Sequence, residues 1–129
     1  MSTFASVTKS PSVLRVTVHR SHPLQGEFSA LMYECETMYT QYSRPFVLAM
    51  DLHLMGTLHP VDALQWMMMF FRVSETTKKH LICTCICASS TLDDAIQSFL
   101  HMYDPIKPFY SLNTSNAFEA QIVKGTTRS

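Results

Sequence analysis

Carboxylate, imidazole and hydroxyl side chains crowd one short stretch of this chain: Asp51, His53, Thr57, His59 and Asp62. In an extended run Asp51 and His53 point to the same side. The carboxylate could then orient the imidazole, or the two could share a metal ion with His59. The competing reading is that Asp51 and Asp62 brace a loop whose histidines are ordinary surface residues. It is preferred, because the stretch lacks a fixed ligand spacing. Ser89, Ser90 and Thr91, then Asn113 and Thr114, form two further polar groups, each directly after an apolar run. If those runs are parallel strands, all three groups lie at their carboxyl ends, where open α/β sheets bind ligands. A serine there can offer an anion the N–H groups of a helix start, but N-capping is its commoner use. The candidate polar site is therefore Asp51, His53, Thr57, His59 and Ser90, with no catalytic residue, metal or cofactor assigned.

The thiols are the second candidate chemistry. Cys83, Cys85 and Cys87 alternate along Leu81–Ala88 and so share one face, while Cys35 stands apart. Neighbours two apart on a strand are about 6.6 Å apart at Cα, near the limit for a disulfide. Recurring zinc spacings leave roughly two to four residues between ligands, which Cys-x-Cys-x-Cys does not match. Reduced thiols serving as small core hydrophobes are expected. A nucleophilic cysteine needs an electropositive, partly exposed setting, which a central strand does not provide. A Gly-x-Ser-x-Gly elbow, a phosphate loop or a dinucleotide fingerprint needs patterned glycines, and the chain has only Gly 3. A non-enzymatic protein is expected.

The third candidate is apolar. Trp66, Met67, Met68, Met69, Phe70 and Phe71 follow one another in a helix opened by Pro60. Leu64, Met67, Met68 and Phe71 form one stripe, and Trp66, Met69, Phe70 and Val73 cover much of the remainder. A helix apolar nearly all round is either buried or docks something. Its methionines suit an adaptable partner groove or an acyl chain. These six residues are the candidate interaction or ligand surface.

The elements that must position these groups follow from periodicity. Val13–His19 alternates as a half-buried, edge-type strand, while Phe46–Leu54 and Leu81–Ala88 are apolar on both faces, as central strands are. Lys107–Leu112 reads as a short, Pro-flanked strand near an edge. Leu24, Phe28, Leu31, Cys35, Met38 and Tyr42 recur at helical spacing. A second helix runs from Pro60 to about Thr76. A third, Ser90–Tyr103, starts with a Ser90-x-x-Asp93 capping pattern and places Leu92, Ala95, Ile96, Phe99, Leu100 and Tyr103 on one stripe. Thr114 or Ser115 caps a last helix carrying Phe118 and Ile122, for which Gly125 is the natural stop. Residues 1–12 fray or form a short edge strand, 13–124 form one domain, and 125–129 are a tail.

Composition narrows the partners. The chain has 129 residues, 47% hydrophobic and 16% charged, with Lys+Arg 10 balanced by Asp+Glu 10. Without a basic stripe, a nucleic-acid partner is not expected. Near-zero net charge favours self-association. No apolar run approaches the ~20 residues of a membrane-spanning helix, and the first residues lack a secretory signal, so a cytoplasmic location is the default.

The resulting β-α-β-α-β-α-β-α order, with PFVLAMDLHLMGTLHPVDALQWMMMFF at its centre and KPFYSLNTSNAFEAQI near its end, resembles the STAS fold. The points of likeness are a hydrophobic strand ending in Asp51, short helices of similar length, and a final short strand leading into a helix whose Ala117 and Phe118 pack back on the sheet. The wider SpoIIAA-like group also takes in the larger CRAL-TRIO lipid-binding domains. The resemblance implies a single α/β domain with a mostly parallel four-stranded sheet and about four helices. It also implies a protein-interaction or regulatory role; the apolar helix over 60–73 is the sequence's own support for it, with a homo-oligomer as the first partner. The antagonist branch of the family carries an Asp-Ser-Ser/Thr-Gly phosphorylation signature; this chain reads Gly56-Thr57-Leu58-His59-Pro60-Val61-Asp62 there, and the phospho-switch is not carried over. Alternative roles are a small hydrophobic-ligand carrier lined by Met67, Phe70 and Phe71, or a structural component of a larger, for example viral, assembly. A hydrolase using Asp51, His53 and His59 ranks last.

Overall fold

The apolar runs Phe46–Leu52 and Leu81–Ala88 become strands, and the amphipathic run Ser90–Met102 becomes a helix. The computed structural model describes residues 4–56, 58–102 and 104–127, so Thr57 and Tyr103 lie outside the described residues. The elements are β1 (Ala5–Lys9), β2 (Val13–Val18), α1 (Glu27–Tyr39), β3 (Phe46–Leu52), α2 (Pro60–Arg72), α3 (Ser74–His80), β4 (Leu81–Ala88), α4 (Ser90–Met102), β5 (Phe109–Leu112) and α5 (Ser115–Thr126). The strands form one sheet in the order β1-β2-β3-β4-β5. β1 runs antiparallel to β2, and every other neighbouring pair is parallel.

The fold is α/β, with five strands and five helices among the described residues rather than four of each. The additional strand is β1, from the N-terminal segment, and it makes β2 an interior strand rather than an edge. The additional helix arises because the helix from Pro60 stops at Arg72 and a new one begins after Val73. Beyond that break Thr77 is buried against Tyr39: its hydroxyl donates to the Val73 carbonyl at 3.1 Å and meets the Tyr39 hydroxyl at 2.7 Å.

The sequential strand order decides which face each helix covers. Parallel crossovers are right-handed in about 98% of cases, so an order that never reverses puts successive crossover helices on the same face. Phe28 and Leu31 of α1, Trp66 and Met69 of α2, and Leu92 and Ile96 of α4 all join one core with Leu14, Val16, Leu48, Met50 and Ile86. Trp66 lies between its own helix and α4, 5.6 Å from the Phe99 ring and 6.1 Å from that of Phe70. The opposite face, made of Val47, Ala49, Cys83, Cys85 and Cys87, is covered by Phe118 and Ile122 of α5. Arg15 on β2 clamps that helix with paired hydrogen bonds of 2.9 and 3.1 Å to the Glu119 carboxylate.

Two terminal signals act differently from expectation. Gly125 lies inside α5 and is buried; a β-carbon there would stand 2.9 Å from Val47 Cγ2 and 3.2 Å from Cys83 Sγ. Its task is close approach to the sheet, not ending the helix. At α4 the cap is Ser89, whose Oγ accepts from Leu92 N at 3.3 Å. Asp93 instead takes the Ser111 hydroxyl of β5, so it ties helix to sheet rather than completing a capping box. Thr114 caps α5 as its position suggests, accepting from Ala117 N at 3.2 Å.

Candidate interaction surface

The polar junction at the carboxyl end of β3 forms only in part. Asp51 lies on the α5 side of the sheet, paired in register with Cys87. One carboxylate oxygen takes both the His53 ring Nδ1 and, at 3.3 Å, the His53 backbone N–H. The carboxylate thus orients the imidazole at an exposed turn just past the end of β3. His59 is exposed at the N-terminal boundary of α2 and makes no side-chain cap bond. Ser90, one residue past the true cap, is also exposed. Among the described residues no group of three or more His, Cys, Asp or Glu is placed to hold a metal ion. The sequential strand order has a further consequence. Ligand crevices in open α/β sheets sit where the strand order reverses, and this sheet has no such point among its described strands.

All four cysteines are buried and free. Burial pushes the Cys35 thiol up to about 12, with Glu34 and Glu36 adding to the effect. Cys85 is pushed up by its hydrogen bond with Cys83, whose sulfur is 3.9 Å away, and then by burial. Cys87 rises through burial and the nearby charges of Asp51 and Glu119. Thiols held protonated inside the core are poor nucleophiles.

The apolar helix divides cleanly. Trp66, Met69 and Phe70 enter the core, with Val73 beside them. Met67 is half-buried against the same core. Met68 (48% exposed) and Phe71 (62%) face outward, joined by Val61 (59%) and Leu64 (51%). The outward stripe is thus Val61, Leu64, Met68 and Phe71. The sequence puts Leu64, Met68 and Phe71 on one stripe, together with Met67, and leaves out only Val61; spacings of three, four and three residues were the available signal. Beside the stripe, a groove of about 630 Å³ runs between α1 and α2, lined by Tyr33, Glu36, Gln65, Met68 and Arg72 among others. Tyr33 on its rim is 66% exposed. The groove is pinned by hydrogen bonds from Ser29 Oγ to Gln65 Oε1 (2.8 Å) and from Arg72 Nε to Glu36 Oε1 (2.8 Å).

No family model matches this sequence, and no curated protein or solved structure matches it. No helix among the described residues is long and apolar enough to cross a membrane.

Proposed function

We propose that this chain is a non-enzymatic protein-interaction or regulatory module of the STAS/SpoIIAA-like kind, acting in the cytoplasm and self-associating through the outward face of α2. One observation carries the reading: Val61, Leu64, Met68 and Phe71 expose about half or more of their surface in one unbroken stripe. Exposed apolar residues usually occur singly, and contiguous patches mark interaction sites. The unidirectional run of parallel strands with intervening helices supports the STAS-like part of the proposal. The same surface would serve a subunit of a larger assembly. A hydrophobic-ligand pocket lined by Met67, Phe70 and Phe71 is disfavoured, because Phe70 points into the core and Phe71 away from it.

The test is native mass spectrometry of the wild type, with a denatured control, beside Met68→Asp and Phe71→Asp. The expected result is a bare oligomer for the wild type and folded monomers for both variants. Extra mass on a monomer, lost on denaturing, would replace this reading with a carrier. Unfolded variants would mean that the stripe is core.

A further inference from the structure

We infer that the partner of this face is a second copy of the same chain, with the two α2 helices packed antiparallel across a two-fold axis, each lying along the α1–α2 groove of the other. The inference rests on the self-association proposed above and specifies its geometry. Val61, Leu64, Met68 and Phe71 stand at the a and d positions of two successive heptads, the seam by which one helix packs along another. The core residues Trp66, Met69, Phe70 and Val73, which seat α2 on the sheet, lie on the opposite side of the helix.

A two-fold axis sets each residue against its counterpart by reflection about the middle of the stripe. Leu64 then meets Met68 of the second copy, a pair of similar volume, and Val61 meets Phe71, a small residue opposite a large one. Charge favours the same orientation. The first turn of α2 carries Asp62 and the last carries Arg72. Arg72 already pairs with Glu36 of α1, so the main electrostatic gain is from the helix dipoles, which antiparallel packing opposes and parallel packing aligns. The groove beside the seam supplies further area, with Tyr33 as an exposed aromatic on its edge. A standard interface takes roughly 10% of a small protein's surface per partner. For a chain exposing 7035 Å² this is about 700 Å². An interface of that size is well short of the expanse typical of obligate dimers. Each copy also has a complete core of its own. The dimer is therefore reversible and depends on concentration.

The experiment uses the full chain with single surface cysteines. Because the native thiols are buried, an introduced cysteine is the one that oxidises readily. Residues 61 and 71 are ten apart, about 15 Å along a helix. Antiparallel packing therefore holds two copies of Val61→Cys too far apart to bridge, since a disulfide needs Cα atoms within roughly 7 Å. Mixing Val61→Cys with Phe71→Cys brings the two cysteines face to face. The expected result is a disulfide-linked dimer in the mixture and little in either variant alone, with sedimentation of the wild type moving from one chain to two as concentration rises. Cross-linking of Val61→Cys with itself would overturn the antiparallel geometry while leaving self-association intact. A wild-type dimer with no cross-link in any combination would move the interface elsewhere and overturn the inference. A wild type that stays monomeric at every concentration would sink the proposed function as well.

Discussion

Replacing Gly125 by Ala tests how α5 is seated on the sheet. Two effects of opposite sign compete. Alanine in a helix interior is favoured over glycine by about 1 kcal/mol. Gly125 lies next to the end of α5, so the gain falls below that figure. Against it, the new methyl would lie 2.9 Å from Val47 Cγ2 and 3.2 Å from Cys83 Sγ. Neither neighbour yields easily: Val47 is a β-branched residue on an interior strand, and Cys83 packs beside Cys85. Overpacking of this kind typically costs about 1–3 kcal/mol. The steric effect therefore wins, and Gly125→Ala should lose about 1–2 kcal/mol. Urea unfolding followed by the fluorescence of Trp66 measures it. The second arm is a double-mutant cycle with Val47→Ala, which removes the atom nearest the clash. Its coupling should favour the double mutant by at least about 0.5 kcal/mol. Gly125→Ala as stable as wild type would refute the argument. So would an equal loss with no coupling to Val47, because that points to a backbone effect; Gly26 is the sole glycine with positive φ among the described residues.

Two further outcomes follow from buried polar groups. Because Thr77 already donates its proton to Val73, the Tyr39 hydroxyl is the donor between them, and Tyr39→Phe should cost about 1 kcal/mol in urea unfolding; an unchanged midpoint would mean that this link between α1 and α3 contributes nothing. The raised thiols make stability fall at alkaline pH. Cys35 goes from 9.0 to about 12 on burial, so its contribution is complete below about 9 and is lost as pH climbs toward 12. The slope approaches about 1.4 kcal/mol per pH unit for each such thiol, because the unfolded chain releases its protons first. Cys85 and Cys87 act in the same direction. Urea midpoints taken on either side of that onset should drop, and Cys35→Ala should flatten the fall; a curve indifferent to Cys35 would refute its burial as a thiol.

The candidate sites were legible to different depths. Asp51 and His53 stand two apart and do bond, but β3 ends at Leu52 and His53 lies in the turn beyond it, so the turn, not strand alternation, brings the imidazole to the carboxylate. His59 and Ser90 were grouped with them by assuming a crevice at the strand ends. The helix stripe was legible as apolar, but not in its orientation. Composition alone does not tell Trp66 from Phe71, since both are large and apolar. Burial separates them because only one side of α2 meets the sheet and Phe99 of α4.

What the sequence by itself determined is local. Alternation of period two and stripes near period 3.6 place most strands and helices, because side-chain direction is a property of the backbone within each element. The apolar character of Phe46–Leu52 and Leu81–Ala88 on both faces likewise required central strands. What only the tertiary structure decided depends on contacts between distant parts of the chain. The pairing of Ala5–Lys9 with Val13–Val18 turned a weak segment into a fifth strand. The unbroken strand order put α1, α2 and α4 on one face and left the cysteine face to α5. That arrangement pressed Gly125 against Val47 and Cys83, and it chose which half of the methionine-rich helix meets water. Periodicity says that a helix has faces, but only its neighbours fix which one they cover.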